Sequence, residues 1–135
     1  FIGPPPSGSC YVRVVPKGFF PDSRVGEFSI DSNGDGLVRL RADVLEFGLL
    51  LAQHVLCHEM GHCLGLSHDS LGCMMDPGTF PHQDITICGH ETAQAAASMG
   101  LIVVYVGLEP GLLAATQSAC GAWNLAVGRV VLAVQ

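Results

Sequence analysis

Three short runs near the start of the chain have the apolar content of β-strands. Residues 11–15 form the first run, which ends at Pro16, and residues 27–30 alternate polar and apolar side chains with a period of two. Residues 31–36 read Asp-Ser-Asn-Gly-Asp-Gly, a strong turn sequence, and residues 37–40 follow as a third apolar run. The pattern therefore predicts one strand followed by a β-hairpin.

After residue 42 the apolar spacing becomes that of helices. Residues 43–64 predict a long, mostly apolar helix that packs against the sheet. Thr86 is expected to cap a second helix over residues 87–98, in which Glu91 suits the positive N-terminal end.

The tail from residue 99 is strongly apolar and carries two charges, on Glu109 and Arg129. Residues 101–106 are strand-like but too few to span a bilayer, and polar side chains interrupt the longer run over residues 112–134. We interpret the tail as buried or interface-forming, with membrane contact as the lesser alternative.

The composition fits one domain with an ample core. Hydrophobic residues make up 49% of the 135 residues and charged residues 13%, below the ~25% of typical soluble domains. The net charge of -6, without a basic cluster, argues against nucleic-acid binding. Six cysteines without a Cys-x-x-Cys pair favour disulfides in a secreted protein over a cysteine zinc site.

The sequence does not fix the disulfide connectivity. Cys57 and Cys63 lie on the predicted helix with a rise of about 9 Å between them, which is too long for a mutual disulfide. Cys63 and Cys73 enclose the easiest short loop, so their pairing is the simplest expectation.

The most informative run is His58-Glu59-Met60-Gly61-His62-Cys63-Leu64-Gly65-Leu66-Ser67-His68, with the pattern HExxHxxGxxH. His58 and His62 lie one helical turn apart and can direct their imidazoles at one metal ion. Gly65 can adopt the left-handed conformation that ends a helix, so the chain can turn back and bring His68 to the same ion. Glu59 is placed to hold a water molecule and take its proton. Three protein ligands leave one zinc position open, which is the pattern of a catalytic site.

Chance is a poor explanation for this motif. Five fixed positions at roughly one in twenty each give about one occurrence in a few million start sites. A core-histidine interpretation accounts for one histidine on an apolar helix but not for three at this spacing. His54, one turn before His58, is better explained as an ordinary core or surface histidine than as a support for the ligands.

The turn at residues 31–36 also matches the first half of a calcium-binding EF-hand loop. The twelfth position of that loop is Ala42 rather than a bidentate glutamate. A hairpin turn is the favoured interpretation, and the alternative is a weak Ca²⁺ site through Asp31, Asn33 and Asp35.

The histidine motif with a methionine downstream resembles the metzincin clan of zinc endopeptidases. The resemblance implies an α+β fold, in which a small mixed sheet packs on the zinc-binding helix and a Met-turn and a C-terminal helix follow. It implies Glu59 as general base and one catalytic Zn²⁺ held by His58, His62 and His68. Met75 fits the methionine that packs beneath the metal, and Met74 is the alternative.

Two branches of the clan share features with the chain. The sequence Gly65-Leu66-Ser67-His68 and residues 26–31 resemble matrixins. The His68-Asp69 pair and the Cys73-x-Met75 spacing instead resemble reprolysins (adamalysins). We favour a matrixin-like secreted metzincin.

The resemblance also implies where a protein or peptide substrate binds. The first strand would be the sheet edge that pairs with the substrate, through Tyr11, Val12, Arg13, Val14 and Val15. The wall after the Met-turn would line the pocket for the residue after the cut, through Asp76, Pro77 and Phe80.

The resemblance divides the chain in two. Residues 1–98 form the expected catalytic domain, with its core motif at residues 54–77, and residues 99–135 form an apolar C-terminal extension without an assigned role. Only 57 residues precede His58, where these families place a larger sheet and a helix, so we expect an N-terminal truncation.

The sequence therefore predicts a secreted zinc metalloendopeptidase that hydrolyses internal peptide bonds through an activated water. The alternative is a non-catalytic zinc-binding module that serves a structural or interaction role. A third hypothesis is a calcium-stabilised cell-surface segment built on residues 31–36 and the apolar tail.

Overall fold

The computed structural model describes residues 3–77, 86–97 and 100–135. Within these ranges the chain forms a five-stranded mixed sheet and four helices, which confirms the predicted α+β class. The strands are β1 (Ser9–Val15), β2 (Gly26–Ile30), β3 (Gly36–Arg41), β4 (Ile102–Val106) and β5 (Leu132–Val134). The helices are α1 (Ala42–Glu46), α2 (Leu49–Cys63), α3 (Gly89–Ala96) and α4 (Leu112–Val127).

The strand order of the sheet is β2-β3-β1-β4-β5. β2 and β3 form the predicted antiparallel hairpin. The other three strand pairs, β3 with β1, β1 with β4 and β4 with β5, are parallel. The prediction that residues 11–15 form the sheet edge is wrong. β1 is hydrogen-bonded to β3 along residues 10–15 and to β4 along residues 9–12, so it lies inside the sheet and not at its edge.

The turn between β2 and β3 is held by one aspartate. Asp31 Oδ1 accepts hydrogen bonds from the backbone N–H groups of Asn33 at 2.9 Å and Asp35 at 3.0 Å. The Asp31 N–H in turn donates to the Asp35 carbonyl at 2.9 Å. The hairpin-turn interpretation is confirmed, and this carboxylate oxygen already serves the backbone, as aspartates in turns commonly do.

The predicted helix over residues 43–64 is broken into α1 and α2 by Phe47 and Gly48. Gly48 has φ +122°, far outside the helical region, and glycine reaches it without a Cβ penalty. From Ala52 to Cys63 nearly every side chain of α2 is buried, including the polar ones. Such a helix lies inside a domain rather than on its surface.

The second predicted helix begins two residues later than expected. Cys88, not Thr86, is the N-cap of α3, and the Glu91 carboxylate accepts its backbone N–H in a capping box. Among the described residues, α3 ends at Ala96.

Residues 100–135 belong to the same sheet and core. β4 pairs with β1, β5 pairs with β4, and α4 packs against α2. The Trp123 side chain is fully buried, and its Nε1–H donates to the Cys57 carbonyl at 2.8 Å. The tail is buried in part, through Leu112, Trp123 and Leu132, and it supplies two strands and a helix after the histidine motif. No helix in the described ranges is both long and apolar enough to cross a membrane.

Two disulfides connect these elements. Cys10–Cys63 joins β1 to the end of α2 with a Cα–Cα distance of 6.4 Å, and Cys73–Cys88 joins the loop after the motif to α3 at 5.9 Å. The expected pairing of Cys63 with Cys73 is wrong, because each has another partner in space. Two disulfides fit an extracellular protein.

Trp123→Phe should lower the free energy of unfolding by about 1–3 kcal/mol, because it removes a buried hydrogen bond and part of the core volume. Urea unfolding with intact disulfides measures this loss. Leu125→Ala on the same helix is the control, because Leu125 is 85% exposed. An equal loss in both variants would contradict the role given to Trp123.

Candidate metal centre

The end of α2 folds the chain back toward the helix. Gly65 has φ +96°, its N–H donates to the His62 carbonyl at 2.9 Å, and the Leu66 N–H donates to the Gly61 carbonyl at 3.0 Å. This pair of bonds with a left-handed glycine is a Schellman motif. The predicted helix stop at Gly65 is confirmed, and it brings His68 back beside α2.

Three imidazoles converge at this turn. The ring centroids of His58 and His62 lie 4.9 Å apart, and the His68 ring lies 4.9 Å from the first and 4.8 Å from the second. One nitrogen from each ring lies within 4.8 Å of the other two, so the three side chains could hold a metal ion. The structure thus brings together all three histidines of the motif.

Hydrogen bonds fix two of the ring tautomers. His58 Nδ1 lies 2.8 Å from the Met74 carbonyl, and His62 Nδ1 lies 2.8 Å from the Leu66 carbonyl. A carbonyl oxygen can only accept, so both Nδ1 atoms carry the hydrogen. Both Nε2 atoms therefore offer a lone pair, as they must to ligate a metal.

The environment keeps these rings neutral. Burial lowers the pKa of His58 to about 4, although its hydrogen bond to Met74 opposes the shift. Burial also lowers the pKa of His62. His58 Nε2 lies 3.0 Å from His68 Nε2, so the two ligand atoms are close enough together to bind the same ion. The donor set therefore fits a metal ion.

A buried methionine packs against α2 at Gly61. Met75 is fully buried, and a Cβ added to Gly61 would overlap its Sδ atom and lie 3.0 Å from the Trp123 ring. Gly61 thus permits Met75 to approach the helix one residue before His62. The position of Met75 beneath the three histidines stays a prediction that the resemblance implies.

Glu59 lies beside the histidines and is buried, with only 5% of the residue exposed. Its Oε1 atom is 4.0 Å from His62 Nε2. Burial raises the pKa of Glu59 to about 8, and the negative charge of Glu27 adds to the shift. A carboxyl group with its pKa raised into this range is suited to accepting and releasing protons near neutral pH.

The histidines and Glu59 face a cavity of about 860 Å³. One wall is the start of β2 with the residues before it, and the other is α2, with His68 and Pro77 completing the lining. A Cβ added to Gly26 would lie 2.8 Å from Val55 and 3.2 Å from the Glu59 carboxylate, so β2 passes directly over the general-base candidate. The Phe28 ring stacks on His62 with centroids 5.7 Å apart.

Only some of the predicted pocket residues line the cavity. Pro77 lines the cavity, whereas Asp76 accepts the Gly72 N–H at 2.9 Å and belongs to the turn before it. Phe80 lies outside the described residues. The central strand β1 does not line this cavity, and β2 takes its place. Sequence reasoning singled out residues 26–31 as strand-like but did not place them at the site.

Among the residues that the structure describes, two other groups have ligand atoms close enough together to hold a metal ion, and both include Glu91. In one of them the sulfur atoms of Cys73 and Cys88 are joined in a disulfide. In the other, His90 Nε2 and Asp69 Oδ2 pair with each other at 3.1 Å. The three histidines are the group that leaves its ligand atoms directed at a cavity.

No protein family, curated protein or solved structure matches this chain. The assignment of the centre accordingly rests on the chain's own residues and their geometry.

Gly65→Ala should destabilise the protein by about 2 kcal/mol more than Gly72→Ala. Both glycines have positive φ, so both variants incur the left-handed penalty. A Cβ at Gly65 would also lie 2.5 Å from the Gly3 carbonyl carbon, whereas nothing lies within 4 Å of one at Gly72. Urea unfolding compares the two variants, and equal losses would refute the packing of residues 3–4 on this turn.

Glu59→Gln should stabilise the metal-free protein more at pH 8 than at pH 5. The folded pKa of about 8 exceeds the ordinary value of 4.5, so the native state loses stability as the pH rises between these values. Glutamine removes that loss, on the order of 3 kcal/mol across the interval. Unfolding in a chelator at both pH values measures the difference, and a pH-independent effect would contradict the burial argument.

Proposed function

We propose that this chain is a secreted zinc endopeptidase of the metzincin type. The observation that carries the proposal is the convergence of three imidazoles beside a buried carboxylate, at the wall of a cavity bounded by a sheet edge. Each of these groups has a separate task in peptide hydrolysis.

The donor set favours zinc. Imidazole nitrogens suit Zn²⁺, and three protein ligands leave room for substrate in a catalytic site. When bound, Zn²⁺ would supply Lewis-acid polarisation of the scissile carbonyl and of water. The backbone carbonyls of Met74 and Leu66 would keep the rings of His58 and His62 oriented for this task.

Glu59 is the proposed general base. It would accept the proton of the attacking water and deliver that proton to the leaving amine. Its burial excludes bulk water from the carboxylate, and the missing side chain at Gly26 lets the backbone of β2 itself lie close to it.

The proposed substrate is an extended polypeptide. β2 is outermost in the sheet order, so within the described part of the chain it has a strand neighbour on one side only. A peptide added along its open edge would continue the sheet and pass the histidines. In this proposal β2, with Glu27 and Phe28, takes the role that the sequence analysis gave to the first strand.

Glu59→Gln should abolish cleavage of a quenched peptide or a denatured protein while leaving zinc bound. The variant keeps the shape of the side chain but cannot take a proton, and loss of such a group costs about 10²–10⁴-fold in rate. His62→Ala should lose the zinc as well as the activity. Metal content, measured on the dialysed proteins, separates the two effects.

Glu46→Gln is the matched control, because Glu46 is an exposed glutamate at the end of α1. It should retain both zinc and cleavage, and a chelator should stop cleavage by the native chain. Cleavage that survives in Glu59→Gln would refute the general-base assignment. Stoichiometric zinc without cleavage of any peptide would favour the non-catalytic module instead.

A further inference from the structure

Glu91 is a buried carboxylate that the proposed mechanism does not use. It is 0% exposed, and it lies at the first turn of α3. Its oxygens accept three backbone N–H groups, from Met74 at 3.2 Å, Met75 at 2.6 Å and Cys88 at 3.0 Å. Burying a charged group is costly unless hydrogen bonds compensate, and here backbone amides provide that compensation.

One of these hydrogen bonds involves a peptide group that also contacts a histidine of the metal centre. The peptide group between Met74 and Met75 donates its N–H to Glu91 Oε2, and its carbonyl accepts the His58 Nδ1–H at 2.8 Å. A carboxylate at one end of a peptide group polarises it and makes the carbonyl at the other end a stronger acceptor. The carboxylate on α3 is therefore connected to the imidazole on α2 through a single peptide group.

We propose that Glu91 is a positioning residue of the metal centre, which acts on His58 through the Met74–Met75 peptide group. It holds the carbonyl in place, fixes the tautomer and orientation of the imidazole, and increases the electron density at Nε2. Outer groups that act on ligating histidines in this way tune metal affinity. The part of the inference that concerns metal affinity rests on the zinc site proposed above.

The other candidate metal ligand on α2, His62, supplies an internal reference. His62 Nδ1 bonds to the Leu66 carbonyl in the turn at Gly65, and none of the three amides that Glu91 accepts belongs to that turn. Loss of the Glu91 charge should therefore affect the first ring and spare the second. A general loosening of the fold would affect both rings.

The decisive variant is Glu91→Gln, which keeps the volume of the side chain. A glutamine has one acceptor oxygen and an NH₂ group that cannot accept, so it cannot satisfy all of the N–H groups that face it. The Met74–Met75 peptide group then loses its charged partner. Glu46→Gln makes the same chemical change at an exposed glutamate and serves as the matched control.

The first readout uses the metal-free protein. Proton–nitrogen NMR spectra of the imidazoles follow the exchange of each Nδ1–H with water. In Glu91→Gln the His58 Nδ1–H should exchange at least about tenfold faster, as expected for a weakened buried hydrogen bond, and the His62 Nδ1–H should be unchanged. Equal acceleration at both rings, or none at either, would overturn the proposal.

The second readout is zinc affinity, measured by competition with a chromogenic chelator. Glu91→Gln should bind Zn²⁺ about 10–100-fold more weakly, and Glu46→Gln should match the native chain. An unchanged affinity in Glu91→Gln would overturn the effect on metal binding. If the native chain binds no zinc while the His58 signal still responds selectively, the proposed function fails and the positioning link holds.

Glu91→Asp keeps the charge on a shorter side chain. This variant tests the positioning role of Glu91 if Glu91→Gln does not fold. It should give a selective change at His58 in the same direction and of smaller size, with circular dichroism like that of the native chain. A folded Glu91→Asp protein with native exchange at His58 and native zinc affinity would then overturn the proposal.

Discussion

The burial of α2 is the constraint on which the rest of the molecule depends. Its side chains from Ala52 to Cys63 are almost all shielded from water, although three of the last six could carry charge. Such a helix needs cover on every side. The sheet, the turn at Met75 and α4 provide that cover. The turn also accepts a hydrogen bond from His58 through the Met74 carbonyl, and α4 donates one to the Cys57 carbonyl through Trp123. The features that bury the helix are thus the same features that shape the metal centre.

Local chemistry explains which parts of the site were predictable. The helical spacing of His58 and His62 and the left-handed tolerance of Gly65 depend only on residues close in the chain, so the sequence alone indicated how the three imidazoles meet. The hairpin at residues 31–36 was predictable for the same reason, because turn residues act on their own backbone.

The errors arose where the answer depended on distant residues. Nothing within residues 11–15 indicates whether that strand is central or outermost, since this depends on β4, some ninety positions later. The partner of Cys63 is Cys10, which only the packing of the sheet against α2 brings near. Glu91 suited the start of a helix on electrostatic grounds, but its contacts with Met74 and Met75 depend on how two loops pack. Gly48 was a local signal for the break between α1 and α2, but the apolar pattern around it favoured one continuous helix.

The pairing of β1 with β4 has a consequence for the order of assembly. Ser9 lies opposite Val103, and β5 adds its strand only at residues 132–134. A ribosome therefore releases the histidine motif well before it releases the strands and the tryptophan that enclose the helix. During synthesis the apolar helix has no complete core to enter, so the nascent chain exposes it until residues 102–134 have also been made. The residues of the metal-binding site are thus made before β4, α4 and β5, the elements that complete its enclosure.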